Sequence, residues 1–515
     1  MVDAGEIRLC DSLGARERCR DSYWRMHDPI LSDRLLWRAN TFRHSVHLLP
    51  GQSILELGCG EGELTRALLH VTRGENPITS VTFQGQSCTV ASPTVEWHKL
   101  GSFPGSLAGR AFDCIIAMDL LDRDSCAAFL SAIYELLVPG GEILFYESNP
   151  WNPVRKLRRF FLRLVGTCDS RNLIDRPGLC ELLSASSFIR VNAVFNDFVF
   201  APLTRPAVWL LRNLSILLEN APMVRAMAGS ILVHAQKPPR TKLLPDVSLS
   251  SHHSLRKAVS VVVPCYNEEM NVRPLVSRIL KLYGDYVYEI ILLNDGSTDR
   301  TAKTIDELAA EDERVRVIHR QPPNGVGHAL RDGLGRATGR YVFTMDCDFE
   351  HLLPEFRDLF DAIVDDSDVV VGSRFSRHSV LLNYPFLKIV ANRAFHTLAA
   401  ILFGRCLRDV TNNLKIMRRE VVENLLLRQP GFAVNAEIGL QPFILGYRIK
   451  EVPISWVDRT TEMGSSSFNL LEEGGSYWRV LAGLWLKFAF NVGPYRDLHR
   501  KASDVDKPAL VTAVR

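Results

Sequence analysis

One stretch organises the second half of the chain: Tyr341-Val342-Phe343-Thr344-Met345-Asp346-Cys347-Asp348-Phe349-Glu350. A short apolar run with strong β propensity ends in two acids separated by one residue, and a third acid follows. Side chains two residues apart in an extended segment point to the same side, so Asp346 and Asp348 are predicted to converge. Mg²⁺ is usually held by one or two carboxylates together with substrate phosphates. Because an Asp-x-Asp alone is common in solvated loops, the prediction depends on the flanking motifs.

Length and composition restrict the class of protein. A chain of 515 residues exceeds one ordinary domain. The near balance of 61 basic and 58 acidic residues gives no support to a nucleic-acid binder. The eleven cysteines contain no Cys-x-x-Cys pair, which indicates free thiols in a reducing compartment. With a polar N-terminus and no run of ~18 apolar residues, we expect a cytoplasmic protein that does not cross a membrane, with peripheral contact at its cytoplasmic face as the alternative.

The first half contains a strand, a glycine-rich turn and a helix start, Ser53-Ile54-Leu55-Glu56-Leu57-Gly58-Cys59-Gly60-Glu61-Gly62-Glu63. The three glycines allow a tight turn and close approach of a ligand, and the helix start offers free N–H groups. Further on come the strand Phe112–Asp119 and the helix, Pro-Gly-Gly turn and strand of 136–145. Together these segments resemble class I S-adenosylmethionine-dependent methyltransferases over about residues 35–240.

The resemblance implies a Rossmann-like domain with S-adenosylmethionine as its cofactor. The residues that it would place around the cofactor are Glu56, Gly58, Cys59, Gly60, Gly62, Gln84 and Asp119. Gln84 stands where the family usually has an acid for the ribose hydroxyls, and the segment 97–100 also lacks its usual acid. A domain with the methyltransferase fold but without methyltransferase activity is therefore kept as an alternative. The basic segment 151–164 is either an exposed lid of this domain or a helix at a lipid surface.

The second half alternates strands and helices, which predicts a mostly parallel sheet with ligands at the carboxyl ends of its strands. Asp295 follows one such strand, and Asp346 and Asp348 follow another. The composition of residues 237–256 is typical of a linker. We therefore predict an α/β protein with two domains, over 1–236 and 257–500, and a C-terminal tail over 501–515.

Five motifs in order resemble family 2 glycosyltransferases, in particular dolichyl-phosphate mannosyltransferases and polyprenyl-phosphate glycosyltransferases. They are Val-Pro-Cys-Tyr-Asn-Glu-Glu (263–269), Asn-Asp-Gly-Ser-Thr-Asp (294–299), Met-Asp-Cys-Asp-Phe-Glu-His (345–351), Gly-Ser-Arg-Phe (372–375) and Glu-Val-Pro-Ile (451–454). The resemblance implies a GT-A fold, a UDP- or GDP-sugar donor and inversion at the anomeric carbon.

Carried over motif by motif, the resemblance assigns roles to single residues. The nucleotide sugar would contact Pro264, Tyr266, Asn267, Glu268, Asp295, Asp346, Cys347 and Asp348. A divalent cation, Mg²⁺ or Mn²⁺, would be held by Asp346, Asp348 and Glu350. The catalytic set would be Asp346, Asp348, Arg374 and Arg459, with the two arginines facing phosphates.

The acceptor stays open at this stage. The loop from Arg459 is two residues longer than the Arg-x-x-Gly-x-Ser-Lys of the resembled enzymes and has Ser467 where lysine is expected. The hypothesis is a bifunctional enzyme that glycosylates a polyprenyl phosphate and methylates an unidentified acceptor. The alternative puts the sugar on a hydroxyl of a glycan or secondary metabolite. In that case the first domain methylates the same product or serves as a non-catalytic cofactor-binding or docking module.

Overall fold

The structure is a computed structural model that describes residues 4–27, 31–84, 90–157, 172–199, 205–240, 247–376, 378–382, 384–457, 470–490 and 492. The chain forms two compact units. The first comprises 1–247 with the short segments 380–389 and 455–458, and the second comprises 248–379, 390–454 and 459–515. The division after residue 247 falls inside the stretch predicted as a linker.

The first unit is built on a seven-stranded sheet. Its strands are β1 (Ile54–Leu57), β2 (Ile78–Thr82), β3 (Val95–Lys99), β4 (Phe112–Met118), β5 (Leu137–Ser148), β6 (Ile189–Asn196) and β7 (Ser230–Gln236). Its helices are α1 (Ala4–His27), α2 (Leu31–Ser45), α3 (Glu63–Val71), α4 (Cys126–Leu136), α5 (Arg176–Ala185) and α6 (Arg205–Asn220). Most of the predicted helix at 151–164 lies outside the described residues.

The strand order of this sheet is β3-β2-β1-β4-β5-β7-β6, and β7 runs antiparallel to both neighbours. The strands β1 to β5 are all parallel. The chain first adds strands on one side of β1 and then, from β4 onwards, on the other side, which is a doubly wound order with its switch point between β1 and β4. β1, β2 and β4 are almost continuously buried, which explains their apolar runs, whereas the edge strand β3 is partly exposed. Ligands of doubly wound sheets bind beyond the carboxyl ends of the strands at such a reversal.

The second unit has its own seven-stranded sheet. Its strands are β8 (Val259–Cys265), β9 (Val287–Asn294), β10 (Val315–His319), β11 (Tyr341–Thr344), β12 (Val369–Ser373), β14 (Lys415–Arg418) and β15 (Ile449–Pro453). Its helices include α7 (Val272–Tyr283), α8 (Thr301–Glu311), α9 (Val326–Arg336), α10 (Phe356–Val364), α12 (Arg419–Glu423), α13 (Val434–Ile444) and α14 (Leu470–Ala489). The strands β13 (Val380–Leu382) and β16 (Ser455–Val457) pair separately and cluster with the first unit.

The order of this second sheet is β10-β9-β8-β11-β14-β12-β15. β8 to β11 are parallel, as the alternating strands and helices predicted. β14 runs antiparallel between β11 and β12, so its first residues lie at the edge where those two strands end. This reversal brings the segment 409–415 to the predicted site.

The helix α11 (Phe386–Phe403) is 18 residues long with a mean hydropathy of 1.4, and 28% of it is buried. By length and composition it could cross a membrane, so the expectation that no segment reaches this limit is wrong for α11. The core helix of a globular protein passes the same test. Phe395, Ala399 and Phe403 pack against Leu481 of α14 and its neighbours, which accounts for one apolar face.

Candidate active site

The ends of three neighbouring strands form the edge on which the predicted site lies. Cys265 at the end of β8 stands in register with Asn294 at the end of β9. The N–H of Asp295 donates to the carbonyl of Cys265 over 3.0 Å. Thr344 at the end of β11 pairs with Val262 of β8. The motifs around 265, 295 and 346 therefore meet at one sheet edge, as predicted.

The loops that follow β8 and β9 are bonded to each other. Asn267 adopts a positive φ of 56°. Its N–H donates to Ser297 Oγ over 3.1 Å, and its Oδ1 accepts from the N–H of Thr298 over 2.8 Å. Pro264 and Glu268 are half-buried, whereas Tyr266 is exposed with 52% of its surface accessible. An exposed ring above a fixed loop is suited to stacking on a nucleotide base.

Asp295 is buried and already engaged. Its carboxylate forms an ion pair with Arg320 and accepts from the N–H of Gly325 over 2.7 Å. Arg320 in turn donates to Asp332 over 2.7 Å. Asp295, which was predicted to contact the nucleoside, thus also fixes the loop 320–325. The motif alone did not indicate this role.

The acidic pair lies directly after β11. Asp346 is half-buried, and Asp348 is buried with 3% of its surface exposed. Asn413 donates from Nδ2 to Asp346 Oδ1 over 2.8 Å. Asn413 Oδ1 is buried and has no hydrogen-bond partner among the residues that the structure describes. Asp346 beside the unpartnered amide oxygen of Asn413, with Asp348 two residues further on, offers oxygen donors only, which suits a hard divalent cation. The strand ends at Thr344 and residues 347–348 form a turn, so the extended geometry from which convergence of the two acids was predicted is absent here.

The third predicted metal ligand cannot be placed, because the Glu350 side chain lies outside the described residues, as does the whole of Arg459. Within the described part of the chain, no group of three or more His, Cys, Asp and Glu side chains has a metal-ligating arrangement. Cys347, between the two acids, is buried. Hydrogen bonding to Cys265 and burial raise the pKa of its thiol, so it remains protonated at neutral pH.

Arg374 is held by a carboxylate that the sequence interpretation had not identified. Asp409 Oδ2 accepts from Arg374 Nε over 2.7 Å, and Oδ1 accepts from Nη2 over 2.9 Å. The backbone N–H of Arg374 also donates to Oδ2 over 2.9 Å. Asp409 is fully buried, and burial opposes its ionisation, but the guanidinium keeps its pKa below the ordinary value. This pair fixes the orientation of the predicted phosphate-facing arginine.

A polar network surrounds Asp409. Asn392 of α11 donates to Asp409 Oδ1 over 3.0 Å, and the N–H of Asp409 donates to Glu451 over 2.7 Å. Burial raises the pKa of Glu451, although it accepts the N–H groups of Arg408 and Asp409. His396, also on α11, is buried, and burial lowers its pKa to about 4. The polar face of α11 is thereby explained by Asp409.

Lys415 begins β14 and is fully buried. Its ammonium donates to the carbonyl of Asn412. Burial lowers its pKa to about 7, although Asp409 and Asp346 both favour its charged form. Lys415 thus interacts electrostatically with both the acid that anchors Arg374 and the first acid of the Asp346-x-Asp348 pair.

Sequence reasoning missed Asp409, Asn413, Lys415 and Arg320 as contributors to the site. One signal was available, because a lysine within the apolar run 414–417 is rarely buried without a partner. Glu451 was quoted within a motif but was given no role. The order and direction of β14, on which these contacts depend, could not be read from the alternation of strands and helices.

In the first unit, the glycine loop has the predicted backbone. Gly58, Gly60 and Gly62 have φ values of 71°, 54° and 88°, which side-chain-bearing residues rarely adopt. Glu56 is fully buried and accepts hydrogen bonds from Thr65 and Ser80 over 2.6 and 2.8 Å. Its carboxylate therefore joins β1 to α3 and β2, the elements that flank the loop.

The other predicted cofactor residues lie around the same loop. The N–H of Cys59, a buried residue, donates to the carbonyl of Val81 over 2.8 Å. Asp119 has a positive φ of 53° and accepts from Ser148 Oγ. Gln84 is buried, and its Nε2 has no hydrogen-bond partner within the described ranges.

S-adenosylmethionine does not fit this arrangement, because α1 already binds the loop. Glu17 Oε1 accepts from the N–H of Gly60 over 2.9 Å, and Glu17 Oε2 accepts from the N–H of Phe83 over 2.8 Å. Arg20 donates to the carbonyls of Gly58 and Met118 over 2.6 and 3.0 Å. The amides of Gly60 and Phe83 and the carbonyls of Gly58 and Met118 are therefore already engaged by α1.

Comparison with known proteins connects the second unit to sugar transfer. The family model of glycosyl transferase family 2 matches residues 260–426. Polyprenol monophosphomannose synthase of Mycolicibacterium smegmatis is 31% identical over 216 residues, which are 41% of this chain and 80% of that protein. Dolichol-phosphate mannosyltransferase of Pyrococcus furiosus is 31% identical over 208 residues, which are 37% of this chain and 57% of that protein.

Solved structures similar to the chain include glucosyl-3-phosphoglycerate synthase from Mycobacterium tuberculosis. The complex of that protein with Mn²⁺ and UDP-glucose shares 24% sequence identity with this chain. The match covers 48% of this chain and 88% of the other, with a TM-score of 0.35. The complex of the same protein with UDP alone is 21% identical, covers 48% and 89% of the two chains, and has a TM-score of 0.36.

Proposed function

Because the chain belongs to glycosyl transferase family 2, we propose that it transfers a sugar from a UDP- or GDP-sugar to a polyprenyl phosphate, with inversion at the anomeric carbon. The observation that carries the proposal is Asp346, just after β11 and two residues before Asp348, bonded to Asn413, whose amide oxygen has no hydrogen-bond partner among the described residues. The two relatives that are 31% identical are named for polyprenol and dolichol phosphates, which supports the acceptor class.

The residues have separate tasks in this reaction. Tyr266 and the bonded loops at 267 and 298 would position the nucleoside. Asp346, Asp348 and Asn413 would hold a divalent cation, Mg²⁺ or Mn²⁺. When bound, the cation neutralises the negative charge that develops on the departing nucleoside diphosphate. The acceptor oxygen bonds to the anomeric carbon as the bond to the diphosphate breaks, and entry opposite the leaving group inverts that carbon.

The state of the carboxylates favours an anionic acceptor. A phosphate oxygen is already charged near pH 7 and needs no strong base, whereas a hydroxyl acceptor requires one. Asp409 is committed to Arg374, and Glu451 accepts the N–H groups of Arg408 and Asp409. Asp409 is kept ionised by its pairing with Arg374, and the oxygens of Glu451, whose pKa burial raises, accept backbone N–H groups rather than facing an open acceptor position. Transfer to a hydroxyl of a glycan or secondary metabolite remains the alternative, which the choice of acceptor in an assay decides.

Contact with the membrane surface is part of the proposal, because a polyprenyl phosphate is embedded in lipid. Val390, Leu398 and Ile401 of α11 are exposed by 44%, 39% and 72%. Arg405 and Arg408, just beyond the helix, are exposed cations suited to anionic headgroups. We propose that α11 lies on the cytoplasmic face of a membrane. Ile401→Glu should reduce co-sedimentation with anionic vesicles, whereas Leu426→Glu, at another exposed apolar position, should not.

A thermal-shift screen with nucleotide sugars and Mn²⁺ tests the donor site. We expect one nucleotide to stabilise the full chain and the stabilisation to vanish in Asp348→Ala. The exposed Asp365→Ala serves as the matched control and should behave as wild type. Indifference of the wild type to every nucleotide contradicts sugar transfer. Transfer of radiolabel into a butanol-extractable, acid-labile polyprenyl phosphate then separates the lipid acceptor from a hydroxyl acceptor.

Methyl transfer by the first unit is a second candidate function with narrower support. The doubly wound strand order and the three glycines with positive φ favour it. The contacts of α1 with the glycine loop oppose it in this arrangement, which favours the alternative of a module without catalysis while α1 is docked. Calorimetry of the full chain with S-adenosylmethionine tests it.

A further inference from the structure

The N-terminal helix α1 is docked where a doubly wound sheet binds its ligands. Three charged side chains within about one turn of α1 are buried: Arg16, Glu17 and Arg20 are exposed by 8%, 0% and 3%. They reach the carboxyl ends of β1, β2 and β4, and thus the reversal between β1 and β4. Charged residues are rarely buried to this extent unless their charges are paired.

These side chains satisfy both kinds of backbone group at the reversal. Glu17 accepts the N–H groups of Gly60 and Phe83, which follow β1 and β2. Arg20 donates to the carbonyl of Gly58, after β1, and to that of Met118, at the end of β4. Glu17 offers a negative charge to the amides, and Arg20 offers a positive charge to the carbonyls. The amino-acid end of S-adenosylmethionine carries the same two charges, as a carboxylate and an ammonium.

The space left by the glycines is also used by α1. A Cβ on Gly60 would lie 2.5 Å from Asp21 Oδ2, and a Cβ on Gly58 would lie 3.3 Å from Arg20 Nη1. On the helix side, a Cβ on Gly14 would lie 2.8 Å from the carbonyl oxygen of Phe83. The close backbone approach that Gly58 and Gly60 permit is therefore used by side chains of α1.

We propose that α1 is an autoinhibitory plug of the first unit, so that docking of α1 and binding of S-adenosylmethionine to the glycine loop exclude each other. The cofactor binds only the fraction of molecules in which α1 has left the sheet edge, which weakens its apparent affinity by that fraction. The inference rests on the methyltransferase resemblance of the first unit alone and is independent of sugar transfer by the second.

A competing role for Glu17 makes the opposite prediction. Because Gln84 replaces the acid that usually follows β2, Glu17 could supply that carboxylate to the ribose hydroxyls. Glu17 is fully buried, and Oε1 accepts from both Gly60 N–H and Thr82 Oγ1 over 2.9 Å. This geometry favours the plug. Removal of the Glu17 charge strengthens cofactor binding if α1 is a plug and weakens it if Glu17 holds the ribose.

Calorimetry on the full chain separates the two roles. Glu17→Gln combined with Arg20→Met removes both charges with little change of volume. We expect it to bind S-adenosylmethionine at least ten-fold more tightly than the wild type. Arg18→Met is the matched control, because Arg18 is an exposed residue of the same helix, and it should bind as wild type. A folded double variant that gains no affinity, or loses it, overturns the proposal.

Two cysteines of α1 report its position without any mutation. Cys10 is buried and bonded to the carbonyl of Leu100 over 3.4 Å, whereas Cys19 is exposed. N-ethylmaleimide should label Cys19 readily and Cys10 slowly in the wild type. The plug requires that saturating S-adenosylmethionine either fails to bind or increases Cys10 labelling. Cofactor binding to the wild type with Cys10 still protected overturns the proposal, even where the double variant does not fold.

Discussion

Asp409 forms a two-point ion pair with Arg374. Nε and Nη2 of Arg374 donate to the two carboxylate oxygens of Asp409 over 2.7 and 2.9 Å. Paired hydrogen bonds of this kind fix both position and orientation. Arg374 is therefore presented to the site as a preset cation, and little conformational entropy remains to be lost when a phosphate binds.

Asp409→Asn should disable this presentation. The guanidinium, whose side chain is 13% exposed, would lose its counter-charge, which costs at most on the order of 3–5 kcal/mol. We expect a lower denaturation midpoint and loss of sugar transfer beyond what residual unfolding explains. Glu423→Gln breaks the exposed ion pair with Arg419 and should cost about 0.5 kcal/mol or less. Equal effects of the two substitutions would contradict the anchoring role of Asp409.

Asn413→Ala should weaken the metal site without unfolding the unit. It removes the hydrogen bond to Asp346 and the unpartnered amide oxygen beside it. Loss of an orienting neighbour commonly costs 10–100-fold in metal affinity. Titration of Mn²⁺ against nucleotide-dependent stabilisation measures the change. Asn424→Ala, at an exposed position bonded to Glu420, is the control. Unchanged Mn²⁺ dependence in Asn413→Ala would exclude Asn413 from the site.

Stability of the second unit should fall with acid because of His396. Burial lowers its pKa from 6.5 to about 4, among Asp409, Arg393 and Arg374. The unfolded chain binds the proton first, so the stability due to neutral His396 is complete above pH 6.5 and is lost as the pH falls towards 4. The loss is about 3 kcal/mol. Denaturant titrations at pH 7 and 5 should show a smaller difference for His396→Gln. An identical pH dependence in the variant would refute this.

Gly439→Ala tests the packing behind Asp409. A Cβ at this position of α13 would lie 2.0 Å from the carbonyl oxygen of Val410, which is backbone and cannot rotate away. We expect destabilisation of at least 1–3 kcal/mol and reduced transfer. Gly483→Ala in α14 meets nothing within 4 Å and should stabilise by up to about 1 kcal/mol. Normal stability in Gly439→Ala would show that the segment at 410 can shift.

The strand ends of the second unit were predictable because parallel sheets collect loops at one edge. The motifs at 265, 295 and 346 each follow an apolar run, and the structure brings them together as expected. The tight turn at the glycine loop was predictable from its three glycines, which adopt positive φ values in the structure. Local pattern and turn chemistry suffice for such features, since they depend on residues close in the sequence.

The buried charges were not predictable. Glu17 and Arg20 resemble solvent-facing helix residues in the sequence, and their partners are backbone groups at 58–60, 83 and 118. Asp409 likewise finds Arg374 only because β14 reverses direction. Every residue has a backbone carbonyl, so the sequence does not show which carbonyl a buried charge will contact. Such contacts become apparent only in the folded structure.

The reversed strand β14 also determines where the chain tolerates insertions. In a wholly parallel sheet, the partners of Asp346 and Arg374 would come from two separate loops. Here the segment 409–415 supplies both, with Asn413 bonded to Asp346 and Asp409 bonded to Arg374. Its length is therefore fixed from both sides. The exposed turn at 404–406 has no such constraint, so natural loop-length variation should concentrate there, and added residues should be accepted at 405 but not at 411.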